Sequence, residues 1–234
     1  MGQNGEENEA TVVKSKLVVV GDSGSGKTAL IKRYVRGEYT DEFTPTGFDT
    51  YNVTYNVSDT YKIQMSIWDT SGDTGYDRVR PLSYTDADLV VICFSVADPD
   101  SMANVVTKWF PEVREYCPVQ PVLLVGCKTD LRNDMETIST LSKKDLTLTS
   151  YDQGLKTAKT VGALVYSETS TKTSHRSVRD VMEVAALSSA GNKSSNESPT
   201  FRRQRSFMRR KRFSGLGEAK LQLRKEAAKS CVVM

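Results

Sequence analysis

Gly21-Asp22-Ser23-Gly24-Ser25-Gly26-Lys27-Thr28 decides the fold. The four residues before it, Leu17-Val18-Val19-Val20, are an apolar, mostly β-branched run that reads as a buried strand. The residues after it, Ala29-Leu30-Ile31-Lys32-Arg33-Tyr34, open a helical pattern. Strand, glycine-rich turn and helix, in that order, form the setting in which G-x-x-x-x-G-K-[ST] holds phosphate. Gly21, Gly24 and Gly26 let the backbone turn tightly and aim its N–H groups inward. Together with the positive end of the helix, those amides make a polyphosphate site. Lys27 is placed to reach β- and γ-phosphates, and the Thr28 hydroxyl to bind Mg²⁺.

Working outward, the first strand is expected over 16–20 and the first helix over 26–36, with Gly37 as its stop. Residues 38–47 lack apolar periodicity and read as a loop. Two strands follow at 49–57 and 61–68, joined by a hairpin turn at Ser58-Asp59-Thr60. In the second, Tyr61, Ile63, Met65 and Ile67 alternate with Lys62, Gln64, Ser66 and Trp68, which gives one drier face. Asp69-Thr70-Ser71-Gly72-Asp73 then ends a strand where a phosphate-loop protein needs a second carboxylate on the metal side. Leu89–Phe94 and Val122–Gly126 are continuous apolar runs, as in central parallel strands. A helix is expected from about 101 to 116, a short helical insertion within 131–149, helices near 150–161 and 176–190, and a last strand at 163–166. Strands alternating with helices predict an α/β doubly wound sheet. The lone His175 falls in a polar loop and has no catalytic part.

Bulk charge is divided along the chain. Residues 201–234 hold 11 Lys and Arg against two acidic residues, so the preceding 200 residues carry −6 within a total of +3. Residues 1–13 read as a disordered extension whose polar, acidic start is neither a signal nor a transit peptide. Residues 14–190 read as one domain, and 191–234 as a flexible basic tail. The tail contains Arg209-Arg210-Lys211-Arg212 and ends Cys231-Val232-Val233-Met234, a C-a-a-X end whose Met favours farnesyl. Interleaved basic and aromatic residues also suit nucleic acid. A lipid on Cys231 would carry the tail to an anionic membrane instead, and that reading is preferred, with no nucleic-acid partner. Ser206 and Ser214 are candidates for phosphorylation. Cys93, Cys117, Cys127 and Cys231 have neither zinc nor disulfide spacing.

Four elements in order resemble the small GTPases of the Ras superfamily: the phosphate loop, Thr46 after Pro45, Asp69-x-x-Gly72, and Cys127-Lys128-x-Asp130. Ser170-Thr171-Lys172 is similar to the fifth, beside the base. Arg78-Val79-Arg80-Pro81-Leu82-Ser83-Tyr84 and the 131–149 insertion resemble the Rho family. Trp68-Asp69-Thr70-Ser71-Gly72, Gly126-Cys127-Lys128 and the end Lys229-Ser230-Cys231-x-x-Met234 resemble its Rnd subgroup.

The resemblance implies a mostly parallel six-stranded sheet with helices on both faces, and GTP with Mg²⁺ as ligands. It puts Ser23, Gly24, Ser25, Gly26, Lys27, Thr28 and Ala29 at the phosphates. Thr28 and Thr46 would hold the metal, with Asp69 acting through water. Gly72 would lie at the γ-phosphate, Tyr39 over the base edge, and Lys128, Asp130, Ser170, Thr171 and Lys172 around the base. Asp130 would accept from guanine N1 and the 2-amino group. Residues 38–48 and 72–82 become the two switch loops for effector proteins, with output on actin, adhesion and cell shape. The modified tail suits a phosphoserine-binding adaptor, and the place implied is the cytoplasmic face of the plasma membrane or endomembranes, with a cytosolic pool.

Three departures from the common pattern bear on function. Cys127 stands for the usual Asn, Ser23 for a glycine that leaves room for an arginine finger, and Asp73 for the glutamine that orients attacking water. Rnd proteins share Cys127 and lack the other two usual residues, but Asp73, Gly47 and Asp49 are unlike their pattern. The expected output is therefore binding with GTP hydrolysis very slow or absent. A cycling GTPase helped by an activating protein is the alternative.

Overall fold

The computed structural model describes residues 10–41 and 45–193. The apolar runs read as strands all fall in one sheet. β1 (Thr11–Val20), β3 (Tyr61–Thr70), β4 (Leu89–Ser95), β5 (Val122–Cys127) and β6 (Val165–Glu168) are parallel, and β2 (Phe48–Ser58) pairs antiparallel with β3. The strand order is β2-β3-β1-β4-β5-β6.

Residue parity divides the core into two layers. Leu89, Val91 and Cys93 of β4 pack in one apolar cluster with Leu30 and Ile31 of α1 (Lys27–Arg36) and Val178, Val181 and Met182 of α6 (His175–Lys193). Val90, Ile92 and Phe94 pack in the other. Their partners include Trp109, Val113 of α3 (Phe110–Tyr116) and Ala158 of α5 (Tyr151–Thr160). Covering on both faces is why β4 and β5 are apolar without alternation. Each Leu, Ile or Val fully buried there contributes about 1.5–3 kcal/mol relative to exposure. In β3, by contrast, Ile63, Met65 and Ile67 are buried while Gln64 is exposed, as its alternation predicts. The insertion holds α4 (Met135–Ser142), which has no buried residue.

Local chemistry sets most boundaries. Gly37 ends α1 in the left-handed region at φ 71°, its N–H bonded to the Arg33 carbonyl. Ser150 and Gln153 form a reciprocal capping box at the start of α5.

Several boundaries differ from the sequence reading, four of them with structural meaning. β1 begins at Thr11, and Thr11, Val12 and Val13 pair with Tyr61, Lys62 and Ile63, so the expected 1–13 extension loses these residues to the sheet. Residues 1–9 lie outside the described residues. β6 falls two residues later than expected, because Gly162 turns the chain after α5 at φ 64°. α6 starts at His175, an exposed first helical residue and not a loop residue, and runs to Lys193, three residues beyond the expected end of the domain helix. The helix expected at 101–116 is α2 (Pro99–Asn104), a π turn (Val105–Trp109) and α3 in succession. Among the described residues no helix is long and apolar enough to cross a membrane.

Candidate nucleotide site

The phosphate loop joins β1 to α1 at the carboxyl ends of the central strands, where open α/β sheets bind ligands. Gly21 has φ 140°, and a Cβ there would lie 2.1 Å from the Cys93 carbonyl oxygen, so the loop sits directly on β4. Lys27 Nζ donates to the Gly21 carbonyl at 2.7 Å and to the Asp22 carbonyl at 2.8 Å, spanning the loop. Burial pulls the Lys27 ammonium below its ordinary pKa, with Cys93, Asp69 and Asp22 acting the other way. Ser23, Gly24, Gly26, Lys27, Thr28 and Ala29 line a cleft of about 760 Å³. Ser25 instead turns inward, its buried Oγ without a hydrogen-bond partner.

The metal side is assembled from three separate stretches. The Thr28 and Thr46 hydroxyls are 2.8 Å apart. Asp69 is fully buried, and neither carboxylate oxygen accepts a hydrogen bond. Burial pushes its pKa up to about 6, eased by the neighbouring Thr28 hydroxyl and the Lys27 ammonium. A buried carboxylate offset only by the neighbouring Thr28 hydroxyl and Lys27 ammonium is costly alone and fits a hard cation with oxygen ligands, so the residues suit Mg²⁺.

On the base side, Lys128 follows β5 in the left-handed region at φ 62°, a strained position for a side-chain-bearing residue. Asp130 comes next but one, and its Oδ1 accepts from the Ser170 hydroxyl at 2.5 Å. Thr173 donates to the same Ser170 oxygen, which fixes the Asp130 carboxylate edge. Tyr39, Lys128, Asp130, Thr171 and Lys172 line the far end of the same cleft. The Tyr39 hydroxyl donates to Asp41 at 2.6 Å, and burial with that bond pushes it up to about 12. Lys172 Nζ lies 3.3 Å from Asp41, so the first switch reaches across to the base loop. Of that switch, residues 42–44 lie outside the described residues.

Cys127 packs beneath the phosphate loop: a Cβ at Gly26 would lie 3.0 Å from its Cβ. Where an Asn amide would tie the loop by hydrogen bonds, a thiol supports it by contact. Beside it, the Cys127 thiol and burial together push the Cys93 thiol well above its usual range. Cys93, Cys117 and Cys127 are all free and buried.

Gly72 is pressed against the loop as well, since a Cβ there would lie 2.3 Å from the Ser23 nitrogen. Only glycine fits that approach. Asp73 lines the cleft, but its carboxylate accepts from the Gly75 N–H at 2.7 Å and caps the 3₁₀ turn Thr74–Tyr76. Its own N–H donates to the Ser71 hydroxyl.

Several participants escape sequence reasoning. Arg80, with no exposed surface, donates to both oxygens of Glu112 at 2.7 and 2.6 Å, to Asp77, and to the Ser71 carbonyl at 3.1 Å. It thereby fastens the second switch to α3. Asp41, Asn104 and Trp109 also escaped. Arg80 lies in the stretch that resembles the Rho family and Asp41 in the first switch, but the Glu112, Lys172 and Asp22 that these four side chains hold are brought near only by the fold.

A sequence model described as "Ras family" matches residues 16–189 of the chain. Over 228 residues the chain is 43% identical to the Rho-related GTP-binding protein RhoE of Homo sapiens, a match that covers 95% of this chain and 91% of that protein. RhoE of Mus musculus matches equally. The GTP-binding protein RHO1 of Candida albicans is 42% identical over 182 residues, covering 78% of this chain and 91% of that protein. With phosphate loop, buried metal-side carboxylate and base-side Asp130 gathered around one cleft, the chain belongs to the Ras family, on its Rho branch, and is Rnd-like.

Proposed function

We propose that this protein is a membrane-anchored signalling module that binds GTP with Mg²⁺, hydrolyses it very slowly or not at all, and acts by binding effectors through residues 38–48 and 72–82. The observation that carries the hydrolysis part is the Asp73 carboxylate, which is engaged with Gly75 as a turn cap. Phosphoryl transfer on this fold depends on positioning and on stabilising charge, with little covalent chemistry left for the protein. A carboxylate so engaged offers no donor–acceptor amide to align water, and its charge opposes developing negative charge on phosphate. Ser23 adds a side chain where an incoming arginine would have to pass.

Bound Mg²⁺ would neutralise phosphate charge. Thr28 and Thr46 would hold it, with Asp69 behind them. Asp130 would select guanine through its paired acceptors, and Lys128 would pack along the base. The tail supplies the address. Farnesyl on Cys231 binds membranes only marginally alone, and Arg209-Arg210-Lys211-Arg212 adds about 1 kcal/mol per basic residue near an anionic leaflet. Phosphate on Ser206 or Ser214 would weaken that attachment and offer a handle to a phosphoserine-binding adaptor. These tail residues lie outside the described residues.

The test is to purify the full chain and identify its retained nucleotide by chromatography. The expected result is guanine nucleotide with GTP in excess of GDP. A preparation loaded with GDP alone contradicts the reading.

A further inference from the structure

Residues 99–116 form a continuous helical rod whose middle is not α-helical. α2 ends at Asn104, the π turn spans Val105–Trp109, and the Phe110 N–H bonds to the Val105 carbonyl five residues back. Such turns are rare and concentrate at functional positions. Here the turn has a geometric consequence. Asn104 and Trp109 are five residues apart. At 3.6 residues per turn, five residues leave two side chains roughly 140° apart around an α-helix. A turn closed by an i→i+5 bond brings residues five apart close to the same side.

Both of these side chains reach one carboxylate. Asn104 Nδ2 donates to Asp22 Oδ2 at 2.7 Å, and Trp109 Nε1 donates to Asp22 Oδ1 at 2.6 Å. Asp22 is the second residue of the phosphate loop, and its carbonyl accepts from Lys27 Nζ. The loop residue is thus gripped at its carbonyl from the site side and at both carboxylate oxygens from the rod. The same indole carries the joint further, since the Arg80 guanidinium lies 4.6 Å from the Trp109 ring centre and also donates to the Ser71 carbonyl.

We propose that Asn104 and Trp109 are positioning residues for the nucleotide's phosphates, and that the π turn at 105–109 is the joint that lets both hold Asp22. This rests on the reading of residues 21–28 as the phosphate cradle. The grip has two effects. It fixes the backbone between Gly21 and Ser23, where amides must point at the ligand. It also keeps the Asp22 charge turned away from the phosphates, which a released carboxylate would repel.

The experiment uses the full chain loaded with N-methylanthraniloyl-GDP and follows its release against excess GDP. Asn104→Ala and Trp109→Phe should each speed release at least about 5-fold, as expected for losing a hydrogen bond to a charged acceptor. In an Asp22→Ala background, either substitution should change release by less than about 2-fold, because its acceptor is gone. Loss of packing alone would instead add to the Asp22→Ala effect. Trp109 is fully buried, so if Trp109→Phe fails to fold, half-buried Asn104→Ala carries the same comparison. Unchanged release in Asn104→Ala and Asp22→Ala, or additive effects in the double variants, would overturn the proposal. If the wild-type chain takes up no guanine nucleotide, the cradle reading fails. The joint is then read by hydrogen exchange at the amides of 21–26, which must quicken in Asp22→Ala for the joint to stand.

Discussion

Asp130 and Asp69 are both carboxylates near the same cleft, and their surroundings give them different work. Asp130 is held by the Ser170 hydroxyl with its remaining acceptor positions turned to the cleft. Asp130→Ala should remove the preference for guanine over adenine. In the wild type that preference should be at least about 100-fold, because a mismatched buried polar edge costs several kcal/mol. Displacement of a fluorescent nucleotide by GTP and by ATP measures it. Asp69 is buried with neither oxygen in a well-formed hydrogen bond, and only the nearby Thr28 hydroxyl and Lys27 ammonium offset its charge. Asp69→Asn should therefore stabilise the metal- and nucleotide-free protein at neutral pH, by about 1–3 kcal/mol, and should abolish the gain in Tm that Mg²⁺ with GTP gives the wild type. Thermal unfolding with and without Mg²⁺ compares them. At this scale the sequence was most informative where chemistry is contiguous. Residues 21–28 sit in one stretch, and their spacing alone announces a phosphate site. Arg80 was legible as part of a Rho-like stretch in the second switch but not as its anchor, because that role depends on Glu112, 32 positions away.

The elements were read well where burial fixes them and poorly where pairing or caps do. β4 and β5 lie where their apolar runs placed them. The first half of β1 was missed because Thr11-Val12-Val13-Lys14 is largely exposed on a partly covered stretch, and only pairing with β3 makes it a strand. The π turn carries one sequence mark, Pro111, which has no N–H for the Thr107 carbonyl, but what Asn104 and Trp109 reach across the turn is visible only in the fold. The second switch holds 3₁₀ turns at Thr74–Tyr76 and Arg80–Tyr84, and Arg80 ties them to α3 through Asp77 and Glu112. Tyr84 also donates to Glu112, at 2.6 Å. Arg80→Ala strands a half-shielded Glu112 and should cost about 3–5 kcal/mol, well above a surface ion pair. Urea unfolding measures that loss, and hydrogen exchange should show faster opening at 71–84.

The whole molecule joins an acidic nucleotide-binding body to a basic end, with +9 in residues 201–234 and −6 before them. On the proposed reading, this split would take the tail, and not the body, to anionic surfaces. Cys231→Ser should release the protein from membranes in imaging and flotation. Neutralising Arg209, Arg210, Lys211 and Arg212 together should weaken binding most at low salt and flatten its salt dependence, since the wild-type attraction is itself screened within about 10 Å at 0.1 M. The central claim is that the body holds GTP without consuming it, and single-turnover hydrolysis of bound GTP tests it most directly, with and without a Rho-type activating protein. The predicted rate is at or below about 10⁻⁴ s⁻¹ with no acceleration, and Ser23→Gly with Asp73→Gln should restore part of the response. A wild-type chain that clears its GTP within minutes of adding the activating protein would contradict the account and make this a cycling GTPase.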